Sequence, residues 1–192
     1  MNKLQLCDIL GEMMMEENDH ALHNFFTQDH RRLDKLFDSF RAADSTSQIE
    51  LLNKFAAGLI QHIVWEEEYL FPIFERVTGM IQEGPIAVMR EDHQTIQELL
   101  YELLMQAKAG EISPILTVQL EGLLLQHNQA EENVLYDAVE SMLTPESRTE
   151  LLQTLLEEDE LDIEKWIEGV TIIEDKSDDT PNSDDSNPIT LH

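Results

Sequence analysis

The chain repeats itself, and the repeat places charge on faces that helical periodicity makes apolar. Residues 28–38, QDHRRLDKLFD, align with residues 91–101, EDHQTIQELLY: Asp-His recurs at 29–30 and 92–93, and Leu33, Leu36 and Phe37 correspond to Ile96, Leu99 and Leu100. Residues 62–72, HIVWEEEYLFP, align with residues 127–137, HNQAEENVLYD, sharing His, Glu, Glu and Leu at 62, 66, 67 and 70 and at 127, 131, 132 and 135. The first alignment is offset by 63 residues (30 to 93) and the second by 65 (62 to 127). One supersecondary unit, a helix bearing Asp-His followed by a helix bearing His-x-x-x-Glu-Glu-x-x-Leu, therefore occurs twice.

The rest of the chain fits that reading. Only 6 Pro and 7 Gly punctuate the sequence, which disfavours a turn-rich β protein. Periodicity predicts a short helix over 3–17, then long helices over about 18–42, 48–77, 85–109 and 113–143. Asp44-Ser45-Thr46-Ser47, Gly79, Gly84-Pro85, Gly110 and Ser113-Pro114 mark the breaks. Pro72 deletes one backbone bond and is expected to bend the second long helix. Thr144-Pro145-Glu146-Ser147 opens a further helix ending near Trp166. Short connections force antiparallel neighbours. The expected fold is all-α: an up-down-up-down four-helix bundle (18–143) with a short N-terminal helical segment (1–17), an additional C-terminal helix (144–168) and an acidic, disordered tail (169–192).

On an α-helix, residues three, four and seven apart share a face. His30 then lies with Phe26, Leu33 and Phe37, and His62 and Glu66 lie with Phe55, Leu59 and Leu70. His93 lies with Ile86, Met89, Ile96 and Leu100, and His127 and Glu131 lie with Leu120, Leu124 and Leu135. Measured from the interhelical breaks at a rise of ~1.5 Å per residue, all six stand at one level to within about a turn. Burying four imidazoles and two carboxylates together is costly unless something neutralises them. Two divalent cations do so, with Glu66 and Glu131 each able to bridge both. Imidazole plus carboxylate suits non-haem iron, with manganese or zinc as alternatives. Two His and shared carboxylates leave coordination positions open to a small exogenous ligand.

In this order and spacing the six residues resemble the hemerythrin-like, His-His-Glu cation-binding family over about residues 20–140. The resemblance implies a four-helix bundle around a di-iron centre, with His30, His62, His93 and His127 as terminal ligands and Glu66 and Glu131 as bridges. The oxygen-carrying branch has a second His one turn after the third-helix His, where this chain has Gln97, and His-x-x-x-x-Asp on the fourth helix, where this chain has His-x-x-x-Glu. The two-glutamate pattern is closer to bacterial di-iron proteins of iron–sulfur cluster repair and nitric oxide response. Those usually carry a cysteine-bearing N-terminal domain, and this chain has Cys7 alone. The leading expectation is a cytoplasmic di-iron protein that binds oxygen or nitric oxide for sensing or stress response. The alternatives are a di-iron oxidoreductase or a protein that donates iron for cluster repair, and simple metal storage.

A formal net charge of −28 repels phosphates, which disfavours nucleic acid and anionic membranes and suits a basic protein partner. Cys7 allows no internal disulfide, the N-terminus does not read as a secretory signal, and the apolar run FAAGLI is too short to span a bilayer. Near the centre, Tyr69 lies three after Glu66 and is open to two roles, hydrogen-bonding a bound oxygen species or ordinary packing. His23, seven before His30, reads as a partly buried non-ligand or as an extra ligand or gate. Asp29 and Asp92 point about 100° away from the ligand face of their own helices, which argues against their orienting imidazoles. Glu67 and Glu132 read as solvated or helix-contact residues. Met13-Met14-Met15 read as packing, and Trp65 and Trp166 as packing anchors.

Overall fold

A computed structural model of the chain describes residues 20–81, 83–159 and 161–177, the side chains of 45, 46 and 171–177 excepted. The expected 3–17 helix, Cys7, the three methionines and the tail beyond Ser177 lie outside the described residues.

Four helical rods make the bundle, and the punctuation residues end them. The first is α1 (Ala21–Ala42). The second is α2 (Ser45–Trp65), then a π segment, π1 (Glu66–Leu70), then α3 (Phe71–Thr78). The third is α4 (Pro85–Lys108). The fourth is α5 (Pro114–Ala130), a second π segment, π2 (Glu131–Leu135), and α6 (Tyr136–Ser141). Asp44 accepts from the Ser47 N–H at the start of α2, and Ser113 from the Leu116 N–H at the start of α5. Gly79, with φ +76°, supplies the left-handed turn that closes α3. The α1, α2, α4 and α5–α6 segments contact one another in a closed ring, as an up-down-up-down bundle requires.

The irregularity in the second rod differs from expectation. It begins at Glu66, six residues ahead of Pro72, and it recurs in the fourth rod, where the residue matching Pro72 is Asp137. Proline is therefore not its cause. Both π segments begin at the second repeat's shared glutamate, and single π turns inside α-helices gather at functional sites.

Each rod buries a stripe. In α1, Leu22 and Phe26 lie on one side of His30, and Leu33, Phe37 and Phe40 on the other. Gly58 is where α1 and α2 approach closely: a Cβ there would meet Leu33 Cδ2 and the Arg32 guanidinium at 2.9 Å. Trp65 packs on Phe25, ring centroids 5.4 Å apart, in the apolar cluster that includes Leu152 and Leu155 of α7 (Pro145–Glu157). Thr144 caps α7 by accepting from the Ser147 N–H. The single C-terminal helix expected over 144–168 is instead two. α7 ends at Glu157, and α8 (Ile163–Ser177) runs past Gly169. Two compact units result, one ending at Leu161 and one beginning at Asp162, and Trp166 belongs to the second.

Candidate metal centre

All six side chains singled out by the repeat are buried, and they meet in two groups that share both glutamates. One ligand atom from each of His30, His62, Glu66 and Glu131 lies within 4.8 Å of the others, and the same holds for Glu66, His93, His127 and Glu131. Each carboxylate divides its oxygens between the groups. Glu66 turns Oε1 to His62 Nε2 (3.4 Å) and Oε2 to His93 Nε2 (3.2 Å). Glu131 turns Oε2 to His30 Nε2 (3.4 Å) and Oε1 to His127 Nε2 (3.2 Å). The ring centroids of His30 and His62 are 4.6 Å apart, those of His93 and His127 4.7 Å.

The outer nitrogens explain why every Nε2 points inward. His62 Nδ1 is 3.0 Å from Asp29, His93 Nδ1 2.9 Å from Glu67, His30 Nδ1 2.9 Å from Glu132, and His127 Nδ1 3.4 Å from Asp92. At His62, His93 and His30 a carboxylate hydrogen-bonded to Nδ1 holds the proton there and leaves the Nε2 lone pair facing the centre, the arrangement that orients metal-ligating imidazoles, whereas Asp92 stands beside His127 Nδ1 at ion-pair range without a hydrogen bond. These four carboxylates correct the sequence reading. The 100° offset of Asp29 and Asp92 from their own histidines is real, but each reaches the histidine of the next helix. Glu67 and Glu132, each directly after a central glutamate, likewise serve histidines on other rods. Asp29 is fully buried and is held in turn by Arg32, with Nε to Oδ1 at 2.6 Å. Burial raises its pKa, but His62 and Arg32 outweigh that and hold it below the usual carboxylate range.

Tyr136 is the central residue that the sequence reading missed. It is fully buried, and its hydroxyl donates to Glu66 Oε1 at 2.6 Å, with Glu131 Oε2 at 3.1 Å. It lies five residues after Glu131, which on an α-helix points away from the ligand face. The π turn, with its i to i+5 register, brings it beneath the glutamate. Its counterpart, Phe71, sits five after Glu66 and stacks on His93, centroids 5.4 Å apart and planes 12° off parallel. Burial first, and then the charges of Glu131 and Glu66, push the Tyr136 hydroxyl well above its ordinary pKa. Tyr69 is outside the centre: its hydroxyl donates to Glu158. His23 is outside it too, with Nδ1 2.6 Å from Asp137, and forms with His20 and Asp137 a partly exposed third cluster.

A cation fits the donor set. Glu66 Oε2 and Glu131 Oε1 are buried without a hydrogen-bond partner, and His93 Nε2 and His127 Nε2 face each other at 3.1 Å. Two lone-pair nitrogens and two orphaned anionic oxygens in one buried pocket repel unless a proton or a metal lies among them. Without metal, protons take that place. Burial lowers the pKa of His62, but the charge of Glu66 and the bond to Asp29 prevail and push it up to about 10. His93, likewise opposed by burial and favoured by Glu66 and Glu67, rises to about 9.

A cleft of about 450 Å³ reaches the centre at His30 and Glu132. Leu33, Phe37, Phe55, Leu59 and Leu124 line it, together with Asp34, Asp38 and Glu121.

Asn in place of Asp29 keeps the shape but removes the charge that orients His62. The expected cost is about 10–100-fold in metal affinity, read by competition with a chelator. An affinity equal to wild type would show that Asp29 does not position the ligand.

Comparison with known proteins agrees with the geometry. A curated relative, an uncharacterized hemerythrin-like protein of Schizosaccharomyces pombe, is 28% identical over 108 residues, 55% of this chain and 53% of its own length. The chain thus spans about half of the curated relative it matches. No solved structure gives a significant match. Among the described residues no helix is long and apolar enough to cross a membrane. The hemerythrin HHE cation binding domain matches residues 21–139, more than half of the sequence and all six buried ligand candidates, so the chain belongs to that family.

Proposed function

We propose that this is a non-haem di-iron protein that binds a small neutral diatomic ligand, oxygen or nitric oxide, in sensing or stress response. His30 and His62 would hold one ion, His93 and His127 the other, and Glu66 and Glu131 would bridge them. The observation that carries this reading is the division of each glutamate's oxygens between two groups, with one oxygen of each left unpartnered. Imidazole and carboxylate donors suit iron, with manganese or zinc the alternatives, and two His with shared carboxylates leave positions open. Bound iron would supply reversible coordination of the ligand. The chain's own contribution is to orient the imidazoles through Asp29, Glu67, Asp92 and Glu132 and to exclude water with Phe26, Phe71 and the apolar layers on either side. The cleft's apolar wall admits a neutral molecule, and its carboxylates together with the net charge oppose an anion.

The same acidic cleft favours a second reading, iron donation, because its carboxylates attract cations. A cytoplasmic setting and a basic protein partner accord with the composition. The deciding experiment is metal analysis with an optical spectrum of aerobic protein, before and after nitric oxide. Bound iron whose spectrum changes reversibly with nitric oxide supports the diatomic reading. Iron that leaves for an acceptor apoprotein without such a change supports donation. Protein that takes up no iron, as grown or after reconstitution, defeats both.

A further inference from the structure

We propose that Tyr136 is itself a ligand of the first ion, through its phenolic oxygen, so that the two half-sites are chemically unlike. This rests on the di-iron reading above. The tyrosine oxygen lies against every donor atom of one group and none of the other: Glu66 Oε1 at 2.6 Å, Glu131 Oε2 at 3.1 Å, His30 Nε2 at 3.1 Å and His62 Nε2 at 3.4 Å. One hydroxyl proton serves one of these acceptors well. The carboxylate oxygen and the two imidazole nitrogens left over, with their Nδ1 atoms held by Asp29 and Glu132, need further protons among them when no metal is bound. Five donor atoms pointed at one small volume describe a coordination sphere, and a cation there takes the place of those protons.

The second group has no such oxygen. Phe71 stands at the same register, five residues after its glutamate, and offers a ring face to His93. Both unpartnered carboxylate oxygens, Glu66 Oε2 and Glu131 Oε1, belong to that second group. One backbone device, the π turn, thus delivers a hard oxygen donor to one ion and an apolar cap to the other. When the first ion binds, an oxygen–metal bond forms, the phenolic O–H bond breaks, and the proton leaves to solvent. A hard anionic oxygen favours the ferric state. The half-site of His30 and His62 should therefore be the harder of the two to reduce.

The test loads full-length protein with ferrous iron anaerobically and then oxidises it in air. Wild type is expected to show a broad visible band from phenolate-to-iron charge transfer. Its resonance Raman spectrum should contain tyrosine ring modes that shift when the protein is grown on ring-deuterated tyrosine. Tyr136→Phe, with its helical circular dichroism intact, should lose the band at least tenfold while still binding iron between His93 and His127. Iron-loaded wild type without tyrosine modes, or a Tyr136→Phe protein with the band undiminished, overturns the proposal and leaves the di-iron reading standing. The isotope experiment needs no variant, so failure of Tyr136→Phe to fold does not rescue the idea. Wild type that binds no iron overturns both.

Discussion

Replacing Glu66 by Gln is expected to empty the centre of both proposed cations, whereas replacing His62 by Ala is expected to remove one. The asymmetry follows from how the donors are shared. Glu66 offers one oxygen to each group, and His62 belongs to the first group alone. The carboxamide keeps the side chain's shape and its acceptor for Tyr136, but it removes the charge that offsets both cations. The loss in affinity should exceed the roughly 10–100-fold that outer-sphere partners are worth. Glu131→Gln should match Glu66→Gln, and His127→Ala should match His62→Ala, by the symmetry of the repeat. The readout is metal per folded chain by elemental analysis. Glu66→Gln protein that keeps its full metal content would show that the carboxylate does not bridge.

Metal-free and metal-loaded protein respond to pH with opposite sign. Without metal, His62 and His93 carry folded-state pKa values of about 10 and about 9, above the ordinary imidazole value, because the Glu66 charge outweighs their burial. A raised pKa means the fold gains stability from the protonated form. The gain is complete below about pH 6.5 and is lost as pH rises through 9 and 10. Glu66, whose burial is outweighed by His62 and His93, titrates well below its ordinary value. Its contribution persists down to acid pH. Metal-free protein is therefore expected to melt lower at pH 10 than at pH 7, by on the order of 10 °C if a few kcal/mol are lost. With metal bound the ligands must be deprotonated, so acidification through the imidazole range releases the ions and their stabilisation with them. Thermal melts of both forms from pH 4 to pH 10 check this. A metal-free protein whose melting point is flat or rises between pH 7 and pH 10 contradicts the electrostatics described for the centre.

The repeat made the inner six residues legible because two independent periodicities, 3.6 along each helix and the 63- and 65-residue offsets between halves, place the same chemistry on the same face. What it hid depended on contacts between helices or on departures from the α period. Asp29 and Asp92 look misdirected while each helix is considered alone, and their function appears only when the neighbouring rod supplies the imidazole. Tyr136 was hidden by the π turn, since arithmetic at 3.6 residues per turn sends the residue five after Glu131 to another face. Nothing local distinguishes Glu131–Leu135 as a π segment; only its correspondence with Glu66–Leu70 does. The same arithmetic puts Tyr69, three after Glu66, on the ligand face, yet its hydroxyl bonds Glu158. At the C-terminal end, the sequence between the end of α7 at Glu157 and the start of α8 at Ile163 lacks glycine and proline, the usual signals of a helix end.

The geometry predicts two cations inside the bundle, between four imidazoles and two shared carboxylates. Crystals of iron-loaded protein, measured above and below the iron absorption edge, test it most directly. Two anomalous peaks are predicted, one among His30, His62, Glu66 and Glu131 and one among Glu66, His93, His127 and Glu131. No anomalous density in the bundle core, or density only at the surface cluster of His20, His23 and Asp137, would contradict it.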